Sequence, residues 1–284
     1  MRPVTLDITE SPSPNFDERT LPISYLVLHY TGMESGAAAL ERMRDGDAKV
    51  SAHYMIEEDG RIFRLVDEDK RAWHAGVSEW MGESNLNSAS IGIEIVNGGH
   101  DWPNKDGSLP PYPDVQINAL IVLCKEIMAR HNIPAQNVLG HSDIAPARKI
   151  DPGEHFPWQG LAAAGVGIWP AQERDEDSRI LFGAGQRDRG VAIVQSGLAK
   201  IGYAARVSGE HDALTQDLIK ALQRRFRPSR VDGVVDIETM SLVKWWAEET
   251  ARMTSQTGYF LLKTPLSEGR AIASSNIRGK SGLL

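Results

Sequence analysis

Two short runs constrain this chain more than any other feature. ISYLVLHYTG, from Ile23, is a short, nearly continuous apolar run closed by Thr31 and Gly32, and IGIEIVNGG, from Ile91, is another apolar strand with one carboxylate, Glu94, inside it. A strand with one wet face alternates, so the first run reads as a strand covered on both faces, with helices above and below a sheet. AHYMI and RIFRLV, separated by Glu57, Glu58, Asp59 and Gly60, add a hairpin through an Asp-Gly turn. From Asp114 to Asn132, Ile117, Leu120, Ile121, Cys124, Ile127 and Met128 follow helical spacing, with Asp114 as the expected N-cap and Pro134 past the end. The expected class is α/β, a mixed central β-sheet flanked by helices, with Cys124 in the core.

The chain has 284 residues, more than the roughly 150 usual for one domain, so a second domain is expected. Residues 1–20, with three prolines, suit an extended arm, and 21–170 form the α/β domain. AQERDEDSR opens a linker over 171–189. Helical periodicity then returns in Leu214, Leu218, Leu222 and Phe226, so 190–250 read as a small three-helix domain. Within it Asp232 and Gly233 suit a turn and Asp236 an N-cap. Residues 251–284, rich in Ser, Thr, Gly and Lys, read as a loose tail.

A net charge of −7 repels phosphate polyanions, which excludes nucleic acid as the expected partner. The single cysteine forbids an internal disulfide. No apolar run approaches the roughly 20 residues needed to cross a bilayer, and the first residues show no apolar leader. Cytoplasm is the expected location, and a periplasmic one follows if a leader has been removed. Oligomeric state is not legible.

Chemistry concentrates in GHSDIAPARKIDPG, from Gly140 to Gly153, among residues that favour turns over helix. His29 closes the first apolar strand, where a histidine is ordinarily structural. Together with His141 and Asp151 it supplies three N or O donors from separate segments, the number that leaves a fourth position open in hydrolytic zinc sites. Spacing leaves the alternative standing, since Asp151 before Pro152 also shapes a turn. Glu94 interrupts an apolar strand, and a carboxylate buried there would have a raised pKa suited to proton transfer. Lys149 reads either as a solvated loop lysine or as a cation aimed at a developing oxyanion.

LHYTG, SAHYMIEEDG, AWHAG, SIGIEIVN and GHSDIAPARKIDPG, in that order, resemble the zinc-dependent N-acetylmuramoyl-L-alanine amidases of the amidase-2 family, AmpD and AmiD type. The resemblance spans residues 10 to 170 or so. It implies the amidase-2, peptidoglycan-recognition-like fold. It also implies Zn2+ held by His29, His141 and Asp151, Glu94 as general base and acid, and Lys149 as stabiliser of the tetrahedral intermediate. Trp73, His74 and Asn97 match positions near the substrate groove, and His53 is left structural. In related phage lysozyme-like amidases and peptidoglycan recognition proteins a cysteine often replaces the third ligand and a tyrosine precedes the position of His53. Here Asp151 and Ala52 stand there.

GLAKIGY, LQRRFRP and VDGVVDIETMSLV resemble the three-helix peptidoglycan-binding domain that accompanies cell-wall hydrolases. Lys220, Arg224, Arg225, Arg227 and Arg230 could face acidic wall peptides or simply complement a helix C-terminus. The implied partners are muropeptides or the intact sacculus, with turnover and recycling of wall fragments as the setting. Two rival readings remain at this point: a peptidoglycan-binding module that does not cut, and an exported wall-degrading amidase or toxin. The presence of every matched ligand and of Glu94 favours an enzyme.

Overall fold

The computed structural model describes residues 6–171 and 178–257. Its strands are β1 (Ile8–Glu10), β2 (Phe16–Glu18), β3 (Tyr25–Tyr30), β4 (Tyr54–Ile56), β5 (Ile62–Arg64), β6 (Lys70–Ala72), β7 (Ser90–Ile95), β8 (Val138–Gly140), β9 (Ile180–Phe182) and β10 (Val235–Asp236). Its α-helices are α1 (Gly36–Arg44), α2 (Leu86–Ala89), α3 (Asp114–His131), α4 (His141–Ile144), α5 (Trp158–Ala163), α6 (Arg189–Ile201), α7 (Ala213–Phe226) and α8 (Ile237–Thr257).

The main sheet has six strands in the order β1-β5-β4-β7-β3-β8. β3 lies between β7 and β8, parallel to both, while β4 and β5 form the expected antiparallel hairpin. All six residues of β3 are buried, as its unbroken apolar character requires. Alternate residues serve different cores. Leu26, Leu28, Ile91, Ile93 and Ile95 pack under α3 and α5 with Leu120, Cys124, Ile127, Trp158 and Leu161. Tyr25, Val27 and Leu139 face the other way, in one core with Val194, Leu198, Leu218, Leu222, Phe226 and Trp246 from α6, α7 and α8. The C-terminal helices therefore supply apolar cover for the second face of the sheet, burial worth roughly 1.5–3 kcal/mol per large side chain.

Several local expectations need correction. Asp114 is the first residue of α3, with Pro113 at the cap position; its carboxylate lies in the first turn, where it opposes the positive end of the dipole. α8 continues to Thr257, so the expected tail is helical over 251–257; its remainder, the first five residues of the arm and residues 172–177 of the linker lie outside the described residues. The arm forms short strands, β1 beside β5 and β2 beside β6. Asp236 does cap α8, its Oδ1 accepting from Thr239 N–H at 2.8 Å.

The arginines of α7 and the turn after it do not form an open cationic face. Arg225 and Arg227 are each 2% exposed, Arg225 paired with Asp143 and Arg227 with Asp236. Arg224 lies 3.6 Å from Glu154, and Arg230 pairs with Asp232 at 2.6 Å. No helix among the described residues is long and apolar enough to cross a membrane.

Candidate active site

His29 and Glu94 are direct neighbours in the register of β3 and β7, so both side chains leave the same face near the carboxyl ends of parallel strands, where ligands of α/β sheets collect. β8 ends one residue before His141, with Gly140 opposite Leu28. A single helical turn, α4, starts at His141 where the sequence suggested only turns. Asp143 closes it, its Oδ2 accepting from Gly140 N–H at 2.8 Å. The chain then reverses, and Ser142 N–H donates to the Asp151 carbonyl at 2.9 Å.

The three expected ligands converge. His29 Nδ1 and His141 Nδ1 are 2.9 Å apart, and Asp151 Oδ2 lies 3.1 and 3.0 Å from them. All three residues are buried. The partners of the opposite ring nitrogens fix the tautomers. His141 Nε2 faces the Ala75 carbonyl at 3.1 Å, nearer than Arg148 Nη2 at 3.4 Å; the carbonyl can only accept, so Nε2 carries the proton and Nδ1 a lone pair. Ser90 Oγ–H donates to the Leu86 carbonyl at 2.5 Å and accepts from His74 Nε2–H at 3.2 Å. His74 Nδ1 must then accept from His29 Nε2–H at 3.0 Å, again leaving a lone pair on Nδ1.

Two lone pairs and a carboxylate oxygen thus face one another at about 3 Å with no proton to share, a repulsive arrangement unless a cation lies among them. Zinc–ligand bonds of about 2.0–2.1 Å in tetrahedral geometry place donors roughly 3.3 Å apart, close to what is seen. The residues fit a zinc ion. Burial, the nearby His141 and the charge of Lys149 bring His29 down to about 4 against the opposing pull of Asp151, which favours the neutral imidazole that a metal needs.

Glu94 is partly exposed, yet its Oε2 is buried and has no hydrogen-bond partner. Burial, then the nearby Asp151, pushes its pKa well up, and Lys149 opposes them. That oxygen is a buried polar atom whose hydrogen-bonding needs are unmet among the described residues.

The three residues expected near substrate differ in placement. Trp73 is half-buried, its Nε1–H donating to Asp17 at 3.3 Å. His74 is buried behind the His29 ring, over Gly92, where an added Cβ would meet His74 Cγ at 2.4 Å; it orients His29 and presents no open face. Asn97 is 1% exposed, its amide spent on Pro110, Gly99 and His155. His53 is buried, accepting from Gly92 N–H at 2.9 Å. Sequence reasoning missed Arg148, which donates to the carbonyls of Ala75 and Val77 at 2.8 and 2.9 Å and so holds the group that faces His141. Its position next to Lys149 was the only available signal.

Residues 19–154 match the N-acetylmuramoyl-L-alanine amidase family and 187–243 the peptidoglycan binding domain family. AmiD of Escherichia coli K12, an N-acetylmuramoyl-L-alanine amidase, is 38% identical over 233 residues, covering 78% of this chain and 81% of its own length. The chain belongs to the N-acetylmuramoyl-L-alanine amidase family. The AmpD 1,6-anhydro-N-acetylmuramyl-L-alanine amidase of Haemophilus influenzae is 35% identical over 173 residues, 54% of this amidase and 89% of that protein. The AmiD structure solved with anhydro-N-acetylmuramic acid-L-Ala-D-γ-Glu-L-Lys superposes with a TM-score of 0.67 at 34% identity, covering 83% of this amidase and 98% of that chain. The amidase is a hydrolase of peptidoglycan turnover with a peptidoglycan-binding region.

Proposed function

We propose that this amidase cuts the amide between the lactyl group of 1,6-anhydro-N-acetylmuramic acid and the L-alanine of the stem peptide, with zinc held by His29, His141 and Asp151. Bound there, zinc would supply a Lewis acid and lower the pKa of water, both needed because an amide is a poor electrophile and neutral water a poor nucleophile. Glu94 takes the proton from the attacking water on its unpartnered oxygen and returns it to the alanine nitrogen, which cannot leave as an anion. Lys149 offsets charge gathering on the carbonyl oxygen. Trp73, the partly exposed member of its trio, is the one left to meet substrate. The anhydro form is favoured because the AmiD complex carries that sugar.

The convergence of two proton-free imidazole nitrogens and one carboxylate oxygen carries this reading. Incubating the full chain with anhydro-N-acetylmuramyl-tripeptide, before and after chelation and zinc restoration, tests it. Release of free tripeptide that stops with the chelator and returns with zinc is expected; release indifferent to chelator would overturn the metal assignment, and no release would overturn the substrate.

A further inference from the structure

The loop that carries His141 and Asp151 is gripped from outside by the C-terminal helices. Arg225 of α7 donates through Nη1 to Asp143 Oδ2 at 2.7 Å and through Nη2 to the Val138 carbonyl at 3.1 Å, so one guanidinium ties the strand before His141 to the turn after it. Tyr203, following α6, donates to the other oxygen of Asp143 at 3.1 Å. Asp143 in turn holds Gly140 N–H, the amide just ahead of His141. The adjacent Arg224 reaches Glu154 at 3.6 Å, three residues past Asp151. Both ligand-bearing ends of the loop are therefore followed by an acid that faces an arginine of α7.

The Arg225–Asp143 pair is nearly sealed, at 2% and 1% side-chain exposure, with the guanidinium 3.9 Å from the Trp158 ring centroid. Burying an ion pair gives little net stability over well-packed apolar groups, so what such a pair supplies is fixed geometry. A guanidinium that donates to two different groups is suited to that, because its donors have set directions that an ammonium lacks. A region that by family resemblance would only hold the cell wall is thus built into the loop that bears two of the metal ligands.

We propose that Arg225, with Tyr203 and Arg224, positions the metal-binding loop, so that the affinity of the N-terminal site for zinc depends on the C-terminal helices. This rests on zinc being held by His29, His141 and Asp151. Metal ligands oriented by hydrogen-bonded neighbours typically lose 10- to 100-fold in affinity when those neighbours go.

The test is zinc affinity of the full chain, by competition with a chromophoric chelator, beside the thermal midpoint of the zinc-free protein. Arg225→Met should weaken zinc binding roughly 10- to 100-fold, Arg225→Lys should recover only part of it, and Tyr203→Phe, a gentler change, should weaken it several-fold while the folded fraction is unchanged. If Arg225→Met does not fold, Tyr203→Phe and Arg224→Met decide the matter. Variants that melt earlier without zinc yet bind it as tightly as the parent would overturn the proposal, reducing these contacts to ordinary packing. His141→Ala separates the two claims: if it leaves zinc bound, the metal assignment itself fails, whereas its loss of zinc beside unaltered Arg225→Met and Tyr203→Phe affinities sinks the positioning role alone.

Discussion

The two halves of the active site are held in place by different means. His29 and Glu94 sit in register on parallel strands, where the β3–β7 ladder leaves little freedom. His141, Lys149 and Asp151 ride on a loop whose shape depends on side chains: Asp143 back to Gly140, Arg148 to Ala75, and Arg225 from a helix 82 residues further on. A ladder can place a side chain from local pattern alone, while a loop needs partners from elsewhere in the chain.

The sheet half should give the largest effect when its chemistry alone is removed. Glu94→Gln is expected to lower kcat by about 10²–10⁴-fold with zinc still bound, read by muropeptide cleavage beside metal analysis; near-parental turnover would remove Glu94 from the reaction. His74→Phe keeps a ring behind His29 but loses the acceptor for its Nε2–H. Zinc affinity should fall roughly 10- to 100-fold, and unchanged affinity would show that the strand by itself orients the ligand. Gly92→Ala probes how tightly the sheet is packed there, since the new Cβ would meet His74 Cγ at 2.4 Å. A loss of about 1–3 kcal/mol in denaturant unfolding is expected.

The smallest effect should come from acid acting on the loop half. The His100 side chain, with Arg224 adding to it, holds Glu154 down to about 2. A depressed carboxyl contributes stability that is full above its ordinary value of 4.5 and disappears as the pH falls through its folded value. The gap in thermal midpoint between the parent and Glu154→Gln should therefore be present at pH 6 and shrink between about 4.5 and 2; a gap independent of pH would show that the charge of Glu154 plays no part.

What was legible in the sequence follows the same division. β3, β7, the β4–β5 hairpin and the buried stripe of α3 announce themselves through periodicity, because each is decided by which faces are covered. His29, His141 and Asp151 were legible as a set through motif order. The orientation of His74 was not, because it depends on Gly92 and Ser90 across the sheet, and α4 was hidden in a segment rich in turn formers. The arginines of α7 look from sequence like a solvated or anion-facing row. Their acids, Asp143 and Glu154, lie in the other half of the chain, so only the folded core reveals that Arg225 is an internal tie.

The most direct test of the account is zinc K-edge X-ray absorption on the zinc-loaded full chain. Two imidazole nitrogens and oxygen neighbours at about 2.0–2.2 Å, with no sulfur, are expected. A sulfur neighbour, or a zinc ion surrounded by oxygen alone, would contradict the site.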